Sequence, residues 1–161
     1  MFPKALVILS VFAAINSPVA LLPVQAQRAS QCPRVNNKDI KLLFVQWNNS
    51  LQTGSPKKVA RNYAKDGVLL PTVSNQVRNT PAEIKDYFQK FLKLKPVGKI
   101  DEENIRIYCN IAINSGIYTF NLTQDGQVNK VQARYTFVYR KVGNKWLIIE
   151  HHSSAMPEKV N

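Results

Sequence analysis

The sequence predicts a single α+β domain with helices on one face of a curved antiparallel sheet. Two observations predict it. Apolar residues recur mainly at intervals of three or four up to about residue 95, and from Lys99 onward they alternate with polar residues. Helical and strand patterns are therefore segregated along the chain, as is typical of the α+β class. The expected order is helix, helix, strand, helix, and then a run of long antiparallel strands.

The first 26 residues are predicted to be a cleaved export signal. Lys4 provides the positively charged N-terminal region, an apolar run extends from Ala5 to Ile15, and Val24-Gln25-Ala26 forms a small-residue cleavage site. The apolar run is shorter than the roughly 18 residues of a transmembrane helix. We expect one domain at residues 27–161, periplasmic or secreted, with no membrane association after cleavage. An uncleaved anchor is the alternative.

Three helices are predicted upstream of the strands. Asn36 or Asn37 caps the first helix, which Gly54 ends, and Ser55-Pro56 starts a short second helix through about Tyr63. The segment Thr80-Pro81-Ala82-Glu83 is a capping box that starts the third. Each long helix has one apolar stripe facing a core: Ile40, Leu43, Phe44, Trp47 and Leu51 in the first, and Ile84, Tyr87, Phe88, Phe91 and Leu92 in the third.

Strands are predicted at Val68 to Leu70, Ile105 to Cys109 and Ile113 to Leu122, and the segment Val131 to Pro157 is predicted to be a hairpin that turns at Gly143-Asn144. In the simplest register Val142 faces Lys145. One face then pairs Phe137 with Glu150 and Tyr135 with His152, and the other pairs Thr136 with His151. Both faces are half apolar, so we expect both to be covered, the second by dimerisation.

The two cysteines, Cys32 and Cys109, lie before the first helix and in a predicted strand. Because an oxidising compartment allows a disulfide to persist, we predict a bridge between them. Two unpaired thiols are the alternative, since two cysteines alone do not establish a bond.

The chain has 22 basic and 10 acidic residues and a formal net charge of +12. The basic residues are scattered over helices, loops and strand ends, without a recognised nucleic-acid-binding motif. We therefore interpret the charge as a solvated basic surface and expect no nucleic-acid partner.

Glu150 and His152 are the strongest catalytic candidates. Two positions apart on a strand, they share a face with Tyr135, and in an apolar cavity they would act as general base and acid. A buried hydrogen-bond network that only stabilises the fold or the dimer is the alternative. His151 and His152 point to opposite faces and cannot share one metal ion, so we expect neither metal nor cofactor.

Three segments carry a resemblance to a known family: Leu42 to Pro71, Thr80 to Leu92, and Ala133 to Pro157. Together they resemble the nuclear transport factor 2-like superfamily. Within it they are most similar to SnoaL-like proteins and to the association domain of calcium/calmodulin-dependent protein kinase II, including the small bacterial SgcJ/EcaC family. The resemblance implies a cone-shaped sheet with three helices on its concave side, and self-association into dimers or larger rings.

The resemblance also implies a small-molecule pocket inside the cone. Its candidate residues are Trp47, Tyr63, Tyr87, Tyr118, Tyr135, Phe137, Arg78 and Arg134. At these spacings most of the aromatic residues would serve equally as core. Phe137 and Tyr118 stand where the kinase's association domain has arginines, so Arg78 and Arg134 are the possible substitutes. By this alignment Tyr135, Phe137, Glu150 and His152 face the cone, and Arg134, Thr136 and His151 face the partner.

Two functions remain open from the sequence. The first is an exported, self-associating domain that binds a small apolar or carboxylate-bearing molecule. It would have no kinase activity, because the chain lacks the nucleotide-binding loop and the catalytic motifs of kinases. The alternative is a cofactor-free isomerase or cyclase of the ketosteroid isomerase or SnoaL type, in which Glu150 or His152 transfers a proton.

Overall fold

The computed structural model describes residues 32–157, so the predicted export signal at residues 1–26 lies outside the described residues. The elements are α1 (Asn37–Gln52), α2 (Pro56–Ala60), β1 (Tyr63–Leu70), α3 (Pro81–Phe91), β2 (Val97–Tyr108), β3 (Ile111–Gln124), β4 (Gln127–Val142) and β5 (Lys145–Ala155). The predicted α+β class and order of elements are confirmed. Within residues 32–157, no helix is both long and apolar enough to cross a membrane.

Reciprocal capping boxes start both long helices. The Asn36 side chain accepts hydrogen bonds from the backbone of α1, and Asp39 accepts one from the backbone of Asn36. Thr80 and Glu83 form the same arrangement at α3. The second helix ends at Ala60, earlier than predicted. There the Ile148 N–H donates to the Asn62 carbonyl over 2.8 Å and draws the following residues into β1.

The five strands form one sheet in the order β1-β5-β4-β3-β2. Strands β2 to β5 are antiparallel neighbours, as predicted, but β1 pairs with β5 in parallel. The expectation of a purely antiparallel sheet was therefore wrong. Because β1 is the first strand and pairs with the last, no hairpin constrains its direction.

The core lies between the helices and the concave face of the sheet. Trp47 of α1 is at its centre, and its ring packs edge-on against Phe88 of α3, Phe120 of β3 and Phe137 of β4, with centroids 5.2 to 6.3 Å apart. The apolar stripes predicted for the two long helices provide this contact. The curved sheet encloses a cone-shaped space, the cone.

A bulge in β2, between Ile100 and Glu102, brings two backbones very close at Gly116 of β3. A Cβ atom at Gly116 would lie 2.0 Å from the Glu102 carbonyl oxygen. Only glycine allows this approach, so Gly116 is required for the bend of the sheet.

Cys32 and Cys109 form the predicted disulfide, which joins residues separated by 77 positions. The bond attaches the segment before α1 to the chain just after β2. It closes a long loop and therefore restricts the unfolded chain strongly.

We expect the double variant Cys32→Ser/Cys109→Ser to lose about 4 kcal/mol in free energy of unfolding, the loop-entropy value for a loop of this length. Urea denaturation followed by circular dichroism measures the loss. Wild-type protein treated with reductant is the matched control and should unfold at the same urea concentration as the variant. An unchanged midpoint would contradict a stabilising bond.

Candidate ligand-binding site

One extra residue in β5 decides which side chains enter the cone. The predicted register holds from Val142 opposite Lys145 as far as Tyr139 opposite Ile148. The next pair is Val138 with Glu150, so Ile149 has no partner across the strand. Such a bulge exchanges the two faces for every residue that follows.

The register predicted beyond Ile148 was therefore wrong. His151, not Glu150, lies opposite Phe137, and His152 lies opposite Thr136. His151 is buried in the cone with 3% of its surface exposed, whereas Glu150 and His152 are exposed on the outer face of the sheet. General acid-base chemistry by Glu150 and His152 inside the cone is excluded by this geometry.

The β4 residues Tyr135, Phe137 and Arg134 keep the faces of the sheet that were predicted for them. Tyr135 and Phe137 face the cone, as expected, and both are buried. Arg134 is exposed on the outer face, where it donates a hydrogen bond to the Ala155 carbonyl over 3.3 Å. It therefore takes no part in a pocket inside the cone.

His151 is surrounded by aromatic rings. It stacks on Phe137 with centroids 4.0 Å apart, and Trp47 meets it edge-on at 5.2 Å. Its Nδ1 lies 2.8 Å from the Tyr63 hydroxyl of β1. Burial lowers the pKa of His151 to about 3, with the nearby His152 as a smaller cause. The imidazole is therefore neutral at physiological pH.

The hydrogen bond with Tyr63 favours one tautomer of this imidazole. Burial raises the pKa of the Tyr63 phenol well above its ordinary value, so the phenol keeps its proton. His151 Nδ1 lies within hydrogen-bond distance of that hydroxyl, and hydrogen bonding with the Trp47 indole partly opposes the rise in the pKa of Tyr63. If the phenol donates to Nδ1, both groups are satisfied and the ring proton lies on Nε2. Nε2 itself has no partner among the described residues.

A cavity of about 50 Å³ lies between α3, β1 and the concave face of the sheet. His151 and Ser153 are its polar residues from β5. Tyr118 donates to Ser153 Oγ over 2.6 Å, and Thr72 also bonds to Ser153. Most of the remaining wall is apolar, formed by residues that include Trp47, Leu69, Tyr87, Phe88, Phe91, Phe120, Leu122 and Ala133. The space suits a few waters or a small ligand group.

A second recess of about 520 Å³ lies at the mouth of this cavity and shares Val73, Tyr87 and Phe91 with it. Arg78 is the largely buried cation of the recess, with 12% of its side chain exposed. Its guanidinium lies 3.5 Å from Asp86, and its Nε has no partner within the described residues. Burial raises the pKa of Tyr87 to about 12, and the charge of Arg78 opposes this rise.

Of the predicted pocket residues, the structure places Trp47, Tyr87 and Tyr118 in the cavity wall and Arg78 at the mouth. Tyr63 lies behind His151, and the Tyr135 hydroxyl donates to Asn114 Oδ1 over 2.8 Å. Sequence reasoning missed His151, Ser153 and Thr72. No local signal locates the bulge that brings in the first two, because the run from Trp146 to Ile149 is apolar throughout and contains no alternation to be interrupted.

Comparisons with known proteins identify a family and a fold. The family described as calcium/calmodulin dependent protein kinase II association domain matches residues 36–157. A Xanthomonas campestris protein of known structure, provisionally described as such an association domain, is 52% identical, with 78% of this chain and 91% of that chain covered and a TM-score of 0.76. No curated protein matches the chain.

More distant structures share the fold alone. An NTF2-like protein with a cystatin-like fold from Novosphingobium aromaticivorans is 9% identical, with 76% of this chain and 83% of that chain covered and a TM-score of 0.65. An NTF2-like superfamily protein from Salmonella enterica is 18% identical, with coverages of 77% and 92% and a TM-score of 0.64. The nuclear transport factor 2-like fold predicted from the sequence is confirmed.

The depressed pKa of His151 predicts a pH-dependent stability. Below about pH 6.5 the unfolded histidine binds a proton, whereas the folded one does not until about pH 3, so acid favours unfolding. We expect this group to remove about 2 kcal/mol from the free energy of unfolding between about pH 6.5 and about pH 4.5. Urea denaturation at both values measures it.

The variant His151→Phe should lose this part of the pH dependence, whatever its overall stability. The matched control His152→Phe, on the exposed outer face, should keep it. Equal pH dependence in wild type and His151→Phe would contradict a buried neutral imidazole.

Proposed function

The chain belongs to the calcium/calmodulin-dependent protein kinase II association-domain family, and we propose that it is an exported, self-associating domain whose cone binds a small molecule. The ligand would have a short apolar body, a carboxylate and a second hydrogen-bond acceptor. The observation that carries this proposal is the buried Nε2 of His151, which has no partner within the described residues. We propose no kinase activity for it.

The chemistry of the cone favours an acceptor at His151. A buried N–H without a partner costs about 1 to 3 kcal/mol, which a ligand oxygen would recover. Because the imidazole is neutral, a carbonyl or hydroxyl oxygen matches it without burying a charge. The surrounding aromatic walls suit a short hydrocarbon chain.

A carboxylate is better accommodated at the mouth than in the cone. Burying an ionised carboxylate beside neutral donors is costly, and among residues 32–157 the wall of the inner cavity contains no cationic residue. Arg78 at the mouth has a planar guanidinium whose single ion pair with Asp86 is long at 3.5 Å. It is therefore suited to donate hydrogen bonds to a carboxylate.

The isomerase or cyclase alternative has no favouring observation. Glu150 and His152 are exposed on the outer face. The imidazole that does reach the cavity, His151, has a pKa of about 3. Such a group is a weak base, far from the pKa near the working pH that general base catalysis needs.

Self-association is proposed through the outer face of the sheet. The three helices lie on the concave side, and the outer face has half-buried apolar residues, among them Ile113, Ile117, Val138 and Leu147, beside exposed polar ones. A second copy placed on this face would cover these side chains. Export is supported by the disulfide, which persists in oxidising compartments.

Three short probes test the ligand proposal. The probe 4-oxopentanoate has both the carbonyl and the carboxylate, pentanoate lacks the carbonyl, and 4-oxopentanamide lacks the charge. We expect the first to bind about tenfold more tightly than either of the others, because each loses one hydrogen bond to a buried or charged group. Titration followed by NMR chemical shifts measures the affinities.

Two variants separate the contributions. His151→Phe should abolish the preference for the carbonyl, and Arg78→Gln should weaken the preference for the carboxylate, to which Lys90 and Lys93 of the recess also contribute. Lys85→Gln, which removes an exposed charge of α3 outside the recess, is the matched control and should change neither preference. Equal binding of all three probes, or the same effect from both variants, would refute the proposal.

For self-association, light scattering on residues 27–161 at micromolar concentration should give the mass of a dimer or a larger ring. Val138→Asp should give a monomer, because it buries a charge in the proposed interface. Leu42→Asp is the matched control, since Leu42 is 54% exposed on α1, away from the sheet. A monomeric wild-type protein would overturn this part of the proposal.

A further inference from the structure

A cleft of about 470 Å³ lies outside the cone, between α1, α2 and the turn that joins β4 to β5. Three cationic side chains line it: Lys58 of α2, Arg61 just after that helix, and Lys145 at the start of β5. Trp146 also lines it and is half-buried. The proposed cone ligand does not use this cleft, whose lining residues are entirely different.

The floor of the cleft is a polar network centred on Asn62, which is 8% exposed. Its side-chain oxygen accepts from Gln46 of α1 over 3.0 Å, and its amide nitrogen donates to Ser50 Oγ over 3.1 Å. The same nitrogen donates to the Val59 carbonyl over 2.9 Å, and the Asn62 carbonyl accepts from Ile148 of β5 over 2.8 Å. One residue therefore fixes the relative positions of α1, α2 and β5, and the cleft is preorganised.

The charges of the cleft are not balanced. Within residues 32–157, none of Lys58, Arg61 and Lys145 forms a salt bridge, and the lining contains no acidic side chain. Cations that share a cleft repel one another, and a bound anion removes that repulsion. Lys58 and Arg61 are three residues apart, and the fold brings Lys145 of β5 beside them.

We propose that this cleft binds a sugar that carries an oxyanion, either a carboxylate or a phosphate. The three cations would bind the charged group, while the Gln46, Ser50 and Asn144 side chains offer hydrogen-bonding groups for hydroxyls. Lys141 Nζ lies over the Trp146 ring, 5.9 Å from its centroid, and we propose that the part of the indole lining the cleft packs against the C–H face of a sugar ring. A cleft bounded by two helices and a turn suits one or two sugar rings rather than an extended polyanion.

NMR titration of the full mature protein tests the proposal with glucuronate and glucose 6-phosphate. Glucose has the sugar ring without the charge, and inorganic phosphate has the charge without the ring, so these two are the controls.

The chain has two tryptophans. Trp146 should report binding through its indole N–H signal, and Trp47, buried in the cone, is the internal control. We expect at least one acidic sugar to shift Trp146 without shifting Trp47 and to bind about tenfold more tightly than either half alone. The tighter-binding acidic sugar shows whether the cleft prefers a carboxylate or a phosphate.

Variants locate the binding in the cleft. Arg61→Gln and Lys145→Gln should each weaken the binding of the acidic sugar about tenfold, because each removes a charge-assisted hydrogen bond. Lys57→Gln, which removes the same charge from α2 outside the cleft, should change it less than about twofold. The proposal is overturned if neither acidic sugar shifts Trp146, if inorganic phosphate and glucose bind as tightly as the acidic sugars, or if Lys57→Gln weakens binding as much as Arg61→Gln.

Discussion

A single extra residue, Ile149, determines the chemistry of the cone. Because the bulge adds one position to β5, the side chains that follow it exchange faces, and His151 enters the cone in place of Glu150 and His152. A regular strand would have placed a carboxylate opposite Phe137. With the bulge, the cone has a neutral imidazole and hydroxyl groups, and Glu150 and His152 lie on the outer face. We therefore propose that the inner cavity binds an uncharged group rather than transferring a proton.

Burial gives His151 its properties. The aromatic rings around it exclude water and lower its pKa, and the Tyr63 hydroxyl satisfies one of its two nitrogens. The same hydrogen bond joins β1 to β5, the one parallel pair of the described sheet, so it stabilises the edge of the sheet as well as the tautomer. The unsatisfied Nε2 is a cost to the folded protein. Such a cost is reasonable at a site where a ligand supplies the missing partner.

Much of the fold follows from local signals in the sequence. The capping box at Thr80 and Glu83, the apolar stripe around Trp47 and the change of period near Lys99 each depend on neighbouring residues, so they predict helices and strands well. The hairpin turn fixes the register for its first pairs. Beyond Ile148 the register depends on how β1 and β4 pack beside the strand, which no local pattern specifies. The parallel pairing of β1 has the same origin.

The candidate sites are less predictable because they depend on residues from distant segments. The family resemblance, together with helix and strand periodicity, indicated aromatic residues of the cone, and the resemblance alone suggested Arg78 as a cation. The cleft of Lys58, Arg61 and Lys145 was not, because in the sequence these residues look like scattered surface charges. Lys58 and Arg61 are neighbours in the sequence, and the contacts of Asn62 with α1, α2 and β5 hold Lys145 beside them.

The protonation of the His151 ring nitrogens is the most direct test of this account. Long-range proton–nitrogen NMR on the mature protein distinguishes Nδ1 from Nε2 and reports which one carries the proton. The structure predicts a proton on Nε2 and none on Nδ1, with no change between about pH 8 and about pH 5. In Tyr63→Phe the preference for this tautomer should weaken. A proton on Nδ1, or titration of the ring near its ordinary pKa, would contradict a buried neutral donor in the cone.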